Sequence, residues 1–131
     1  MKTQFTTLFL LGLFFTLFNP NHTLADIIES NPGGSGNWND GSTWVGGIAP
    51  EITDDVVING TVYLNLSTTC NNITINAAGT LLPLSNNRIL TVNGDLINHG
   101  TIQDNTYSIY FNIVGNIYHD GVQWENGTTT L

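Results

Sequence analysis

The strongest constraint in this chain is a short motif that keeps returning. Val56-Val57-Ile58-Asn59-Gly60 is echoed 17 residues on by Ile73-Thr74-Ile75-Asn76-Ala77. Leu90-Thr91-Val92-Asn93-Gly94 follows after another 17, and Phe111-Asn112-Ile113-Val114-Gly115 after 21 more. Each copy reads apolar, any, apolar, usually Asn, then a small residue. Alternation of period two denotes a strand with one buried face. A small residue after it denotes a corner of close backbone approach. The last two copies agree over a longer stretch: Asp95 matches Asn116, Leu96 matches Ile117, Asn98 matches His119 and Gly100 matches Gly121. A spacing near 20 predicts an all-β chain wound as a short single-stranded parallel β-helix of about four rungs, with equivalent residues stacked. A β-sandwich is the alternative; it pairs neighbours through hairpins and needs no fixed period.

The stack makes specific demands. One rung buries too few apolar side chains to offset the entropy of ordering its backbone, so neighbours must share a core. Ile58, Ile75 and Val92 are expected above one another. Asn59, Asn76 and Asn93 are expected as an amide ladder at the strand spacing of about 4.8 Å. Thr74 and Thr91 would stack as well, an array too small to order water as an ice-binding face. The 18 Asn, 18 Thr and 14 Gly suit short strands and tight corners. No apolar stripe of period 3.6 stands out after residue 25, so helices should be few.

Three segments follow. Residues 1–25 read as a secretory signal peptide: Met1-Lys2, an apolar run from Leu8 to Phe18, and the small residues of Thr23-Leu24-Ala25 before a cleavage site. The run is shorter than the roughly 20 residues that span a bilayer, so no membrane insertion is expected once the signal is removed. Residues 26–55 form an N-terminal cap segment with two of the three tryptophans, Trp38 and Trp44. Residues 56–131 carry the repeats and are expected to be incomplete at the C-terminus, where Asn126-Gly127-Thr128-Thr129-Thr130-Leu131 reads as the start of another strand. A secreted or cell-surface location follows from the leader.

Charge excludes several functions. Two Lys and Arg stand against ten Asp and Glu, for a net charge of −8. With Lys2 in the leader, Arg88 is the only cation left. One cation cannot neutralise a run of phosphates, which excludes nucleic acid, and the same balance argues against anionic lipid.

Trp38, Thr43-Trp44, Gly47, Pro50 and Asp54-Asp55-Val56-Val57-Ile58 resemble the pattern W-x-x-x-x-T-W-x-x-G-x-x-P-x-x-x-D-x-V-x-I. That pattern opens the β-helical region of secreted bacterial surface proteins of adhesin-like type. It is similar to the start of the extracellular domain built on eight glycines. The segments 71–81 and 90–102 look like repeats of the same bacterial group, and the resemblance covers about residues 36–103. It implies a β-helix capped by aromatics and an adhesin-like or scaffold role within larger proteins. Many of these are exported by the type IX route, whose C-terminal sorting domain is not recognised in this sequence.

Few residues offer chemistry. Trp38 and Trp44 are read as a cap over the first rung; the alternative is a platform on which sugar rings stack. Asp54-Asp55 is the densest acidic pair, and the resemblance implies that Asp54 packs against or caps the first strand rather than binding a metal. His99 and His119 lie 20 apart, one step off the 21-residue register, and neither has a partner at metal-ligand spacing. Arg88 is expected in a loop, and the lone Cys70 as a small buried hydrophobe. No catalytic motif, metal site or cofactor is called for. The expected role is a structural or adhesin-like extracellular region without catalysis, whose partner is an extracellular glycan or another surface protein. A carbohydrate-binding or carbohydrate-processing β-helix is the alternative, and the oligomeric state is left open.

Overall fold

The computed structural model describes residues 24–125 and 128–130. The signal-peptide reading therefore lies outside the described residues, apart from Leu24 and Ala25. Pairing between named strands is parallel throughout, as a β-helix requires and a hairpin sandwich does not.

Among the described residues the first strands are β1 (Ile27–Glu29) and β2 (Ser35–Asn37), joined to the next coil by a 3-10 turn at Gly41–Thr43. Three coils of three strands follow. They are β3 (Asp55–Ile58), β4 (Thr61–Leu64) and β5 (Thr68–Cys70); β6 (Ile73–Ile75), β7 (Thr80–Pro83) and β8 (Arg88–Val92); and β9 (Leu96–Asn98), β10 (Thr101–Ile102) and β11 (Ile109–Ile113). Strands β12 (Ile117–His119), β13 (Gln123–Trp124) and β14 (Thr128–Thr130) extend the stack. Three walls result. The first is β1-β3-β6-β9-β12, the second β2-β4-β7-β10-β13, and the third β5-β8-β11-β14. The 128–130 stretch is thus a strand, paired to β11.

The register corrects one step of the sequence reading. Val56 does stack on Ile73, 17 residues on, and Ile58 on Ile75. But Ile73 stacks on Leu96, 23 on, and Ile75 on Asn98. Leu90-Thr91-Val92 belongs to the third wall, where Val92 lies between Cys70 and Ile113. The second coil is longer than the first because it has two extra residues at its first corner, three before its third wall and one at its last corner. The later 21-residue step holds on the first wall, Leu96 to Ile117, and on the third, Leu90 to Phe111. Thr74 accordingly neighbours Ile97, and Thr91 neighbours Thr69 and Asn112, so those two threonines do not stack on each other.

Inward residues from all three walls form one core. Val56, Ile58, Val62, Leu64, Ile73, Ile75, Leu81, Leu90, Leu96 and Phe111 are fully or almost fully buried within it. At the corner between the first and second walls, glycine recurs at Gly60, Gly79, Gly100 and Gly121. A Cβ on Gly100 would fall on the carbonyl oxygens of Asn76 and Gly79 in the coil before. These glycines are needed for close approach between coils rather than for positive φ.

Candidate functional site

The N-terminal end is closed by the chain itself. Trp38 continues the pairing of β2, its N–H donating to the carbonyl of Tyr63 at 2.9 Å. Asp40 caps the 3-10 turn. Its carboxylate accepts from the N–H of Ser42 at 2.9 Å and from the Ser42 hydroxyl at 2.8 Å. These two bonds, the backbone one first, hold its carboxyl below the usual range. The turn brings Trp44 back across the end. Its indole N–H donates to the Trp38 carbonyl at 2.8 Å, and the two rings meet edge to face with centroids 5.4 Å apart. Ser30 and Trp44 form an antiparallel bridge, and the Val45 N–H donates to the Glu29 carbonyl at 2.8 Å. The outer edge is therefore paired where β1 ends, at Glu29 and Ser30, which shortens the edge open to other chains. Trp38 and Trp44 are 1 % and 2 % exposed. Neither ring has an open face on which a sugar could lie.

The acidic residues lie at corners. Asp54 is buried, and its carboxylate accepts from the N–H of Glu51 at 2.8 Å and of Asp26 at 3.2 Å. It ties the residue just before β1 to the first full coil. Asp55 accepts from both Asn71 and Asn72 side-chain amides, at 2.7 and 2.9 Å. One coil on, Asn72 Oδ1 accepts from the Asp95 N–H at 2.8 Å, and Asp95 accepts from the Asn116 N–H at 2.8 Å. A ladder of alternating carboxylate and amide thus runs along the corner between the third and first walls. Gly94 leaves room for it, since a Cβ there would collide with Asn72 Oδ1.

A second ladder occupies the opposite end of the first wall. Asn76 donates to Asn59 Oδ1 at 2.6 Å, and Asn59 donates to Glu29 at 3.1 Å. The expected Asn59–Asn76 rung is present, but Asn93 is not part of it. Asn93 sits at the other corner, its N–H on the Cys70 carbonyl at 3.0 Å. Further along the second ladder's corner, His99 Nδ1 lies 2.5 Å from Asp120 Oδ1. His119 instead meets the buried Asn98, at 3.1 Å. The two histidines do not stack, as the 20-residue spacing implies.

Arg88 opens β8 rather than lying in a loop, and its side chain is half-buried. Cys70 is fully buried, and desolvation, with a smaller push from Asp55, drives its thiol up to about 12. It is an inert core residue at neutral pH. Among the described residues, no group of three or more His, Cys, Asp or Glu side chains is arranged to hold a metal ion. None of their helices is long and apolar enough to cross a membrane.

Two features escaped the sequence reading. The outward column Ser35, Thr61, Thr80, Thr101 runs up the second wall, beside the half-exposed Tyr63. The buried Asn98 replaces Ile58 and Ile75 in an inward column. The spacings 19 and 21 between the three threonines could have disclosed the first. Nothing local distinguishes Asn98 from a corner asparagine.

Fold and site together define a short all-β solenoid with an aromatic N-terminal cap and polar ladders at its corners. No protein-family model, curated protein or solved structure matches the chain.

Proposed function

We propose that this protein is a secreted, extracellular β-helix region with a structural or adhesin-like role and no catalysis. One observation carries the reading. The carboxylates of Asp54, Asp55 and Asp95 accept hydrogen bonds from backbone and asparagine N–H groups of the same fold. Paired acids for glycoside hydrolysis should instead face each other across a space for substrate. The apolar leader and the resemblance to bacterial surface β-helices support export and display at a cell surface.

A second reading has its own support. The hydroxyl column of the second wall, with Tyr63 beside it, offers donors, acceptors and an aromatic edge without a charge, which suits a neutral glycan. A glycan array decides between them. The structural reading, with another surface protein as the partner, expects no glycan bound above background. Binding that disappears in Tyr63→Ala, with the circular dichroism spectrum unchanged, would replace it with the second reading.

A further inference from the structure

The end of the leader and the start of the stack fall on the same residue. Leu24 and Ala25 are exposed and lie in no strand. Asp26 is where the backbone joins the fold. Its carbonyl accepts from the Asp55 N–H at 2.8 Å, and its nitrogen lies 3.2 Å from Asp54 Oδ1. Cleavage after Thr23-Leu24-Ala25 frees that same nitrogen. Asp54 is buried, and its other oxygen accepts from the Glu51 N–H at 2.8 Å. Both of its bonds are to neutral donors. Arg88, the only Lys or Arg among the described residues, opens β8 on the third wall. An amide N–H offers a buried carboxylate a dipole; an ammonium offers a full charge and a shorter bond.

We propose that Asp54 is the receptor for the α-amino group made when the leader is cut between Ala25 and Asp26, so that processing itself locks the N-terminal end to the first full coil. The proposal rests on the reading of this protein as secreted. A signal-peptidase-type endopeptidase adds water across the Ala25–Asp26 peptide bond. Ala25 takes the hydroxyl and leaves with the leader as a carboxylic acid, and the Asp26 nitrogen takes the hydrogen. At neutral pH that amine binds one further proton. An ion pair then replaces the bond from Asp26 N–H to Asp54. The path of β1 need not change, since its pairing with β3 begins at Ile27 and Asp55. The Asp54 N–H donates to the Glu51 carbonyl at 3.2 Å. The new charge therefore draws together the start of β1, the 51–54 turn and the start of β3.

The sequence supplies the probe. Lys2 is the only lysine and lies in the leader, so the Asp26 α-amine is the sole primary amine of the cut chain. The full chain is expressed with its leader in a secreting bacterium, and N-terminal sequencing with intact mass reads the first residue. Asp26 is expected. An uncut leader overturns the secretion reading and the proposal together; a cut at another bond overturns the proposal alone. The secreted product is then acetylated with an N-hydroxysuccinimide ester, which removes the charge and keeps one N–H. In urea the acetylated protein should unfold with an equilibrium constant about fivefold larger than the free-amine protein, the scale of an ion pair with one partner out of water. In Asp54→Asn the same acetylation should change it by less than about twofold. The natural-sequence comparison decides even where Asp54→Asn does not fold. Equal unfolding constants for the free and acetylated natural protein, or an undiminished effect of acetylation in Asp54→Asn, would overturn the proposal.

Discussion

Replacing Gly100 by alanine tests how tightly the coils are nested. The added Cβ would fall 2.5 Å from the Gly79 carbonyl oxygen and 2.9 Å from Ile75 Cγ2, with the Asn76 carbonyl oxygen closer still. Two of these three are backbone atoms, so no rotamer change relieves the clash. The strands must separate, which strains the bonds from Thr101 N–H to Gly79 (3.0 Å) and from His99 N–H to Ile75 (2.8 Å). Overpacking of this kind, with two backbone hydrogen bonds weakened, costs about 2–6 kcal/mol. A domain of this size has about 5–15 kcal/mol in total. Gly33→Ala is the control. A Cβ there meets nothing within 4 Å, and the cost is only that of a φ of +68° for a residue with a side chain, about 1–2 kcal/mol. Urea unfolding followed by far-ultraviolet circular dichroism gives both values, provided the slope is unchanged. The nesting argument is refuted if Gly100→Ala is destabilised no more than Gly33→Ala.

Three further outcomes follow from the same structure. Ile75→Ala, in the middle coil and fully buried, should lose about 2–5 kcal/mol, because ladder-bonded strands cannot collapse into the cavity; the exposed Val122→Ala should stay within about 0.5 kcal/mol in the same urea titration. Asp54→Ala should cost about 1–3 kcal/mol by leaving the Glu51 and Asp26 N–H groups without their acceptor. Cys70 predicts a pH dependence. Its folded thiol is pushed up to about 12, against an unfolded value of about 8.5. The stability from keeping it neutral is whole below the unfolded value and is lost as pH rises toward the folded one. Between about pH 9 and 10.5 the natural protein should therefore lose stability faster than Cys70→Ala, by up to about 1.4 kcal/mol per pH unit; parallel curves would contradict the burial argument.

The period was legible in the sequence because stacking imposes it on every inward column. The wall was not. Inward alternation is the same on all three walls, so Leu90-Thr91-Val92 imitates the first-wall motif while lying on the third. The extra Ala77-Ala78 at one corner, and a longer loop before β8, lengthen the second coil and shift the phase. The glycine column 60, 79, 100, 121 is the better ruler, since its spacing is set by backbone contact rather than by hydrophobicity. The tryptophan pair was legible as a cap candidate only through the resemblance to bacterial surface β-helices. Its mutual packing and the bridge to Ser30 come from tertiary contacts that no local pattern encodes. The corner carboxylates were visible as residues, but their bonding across 16 to 28 positions appears only once the coils are stacked.

Disulfide trapping between walls reads the register directly. In a Cys70→Ala background, Thr74→Cys with Ile97→Cys places two thiols on adjacent first-wall strands, about 4.8 Å apart and within disulfide reach. Thr74→Cys with Thr91→Cys places them on different walls. Under mild oxidation the three-wall account predicts that the first pair closes within the folded monomer and the second stays reduced. Closure of the 74–91 pair, with the 74–97 pair remaining free, would contradict it.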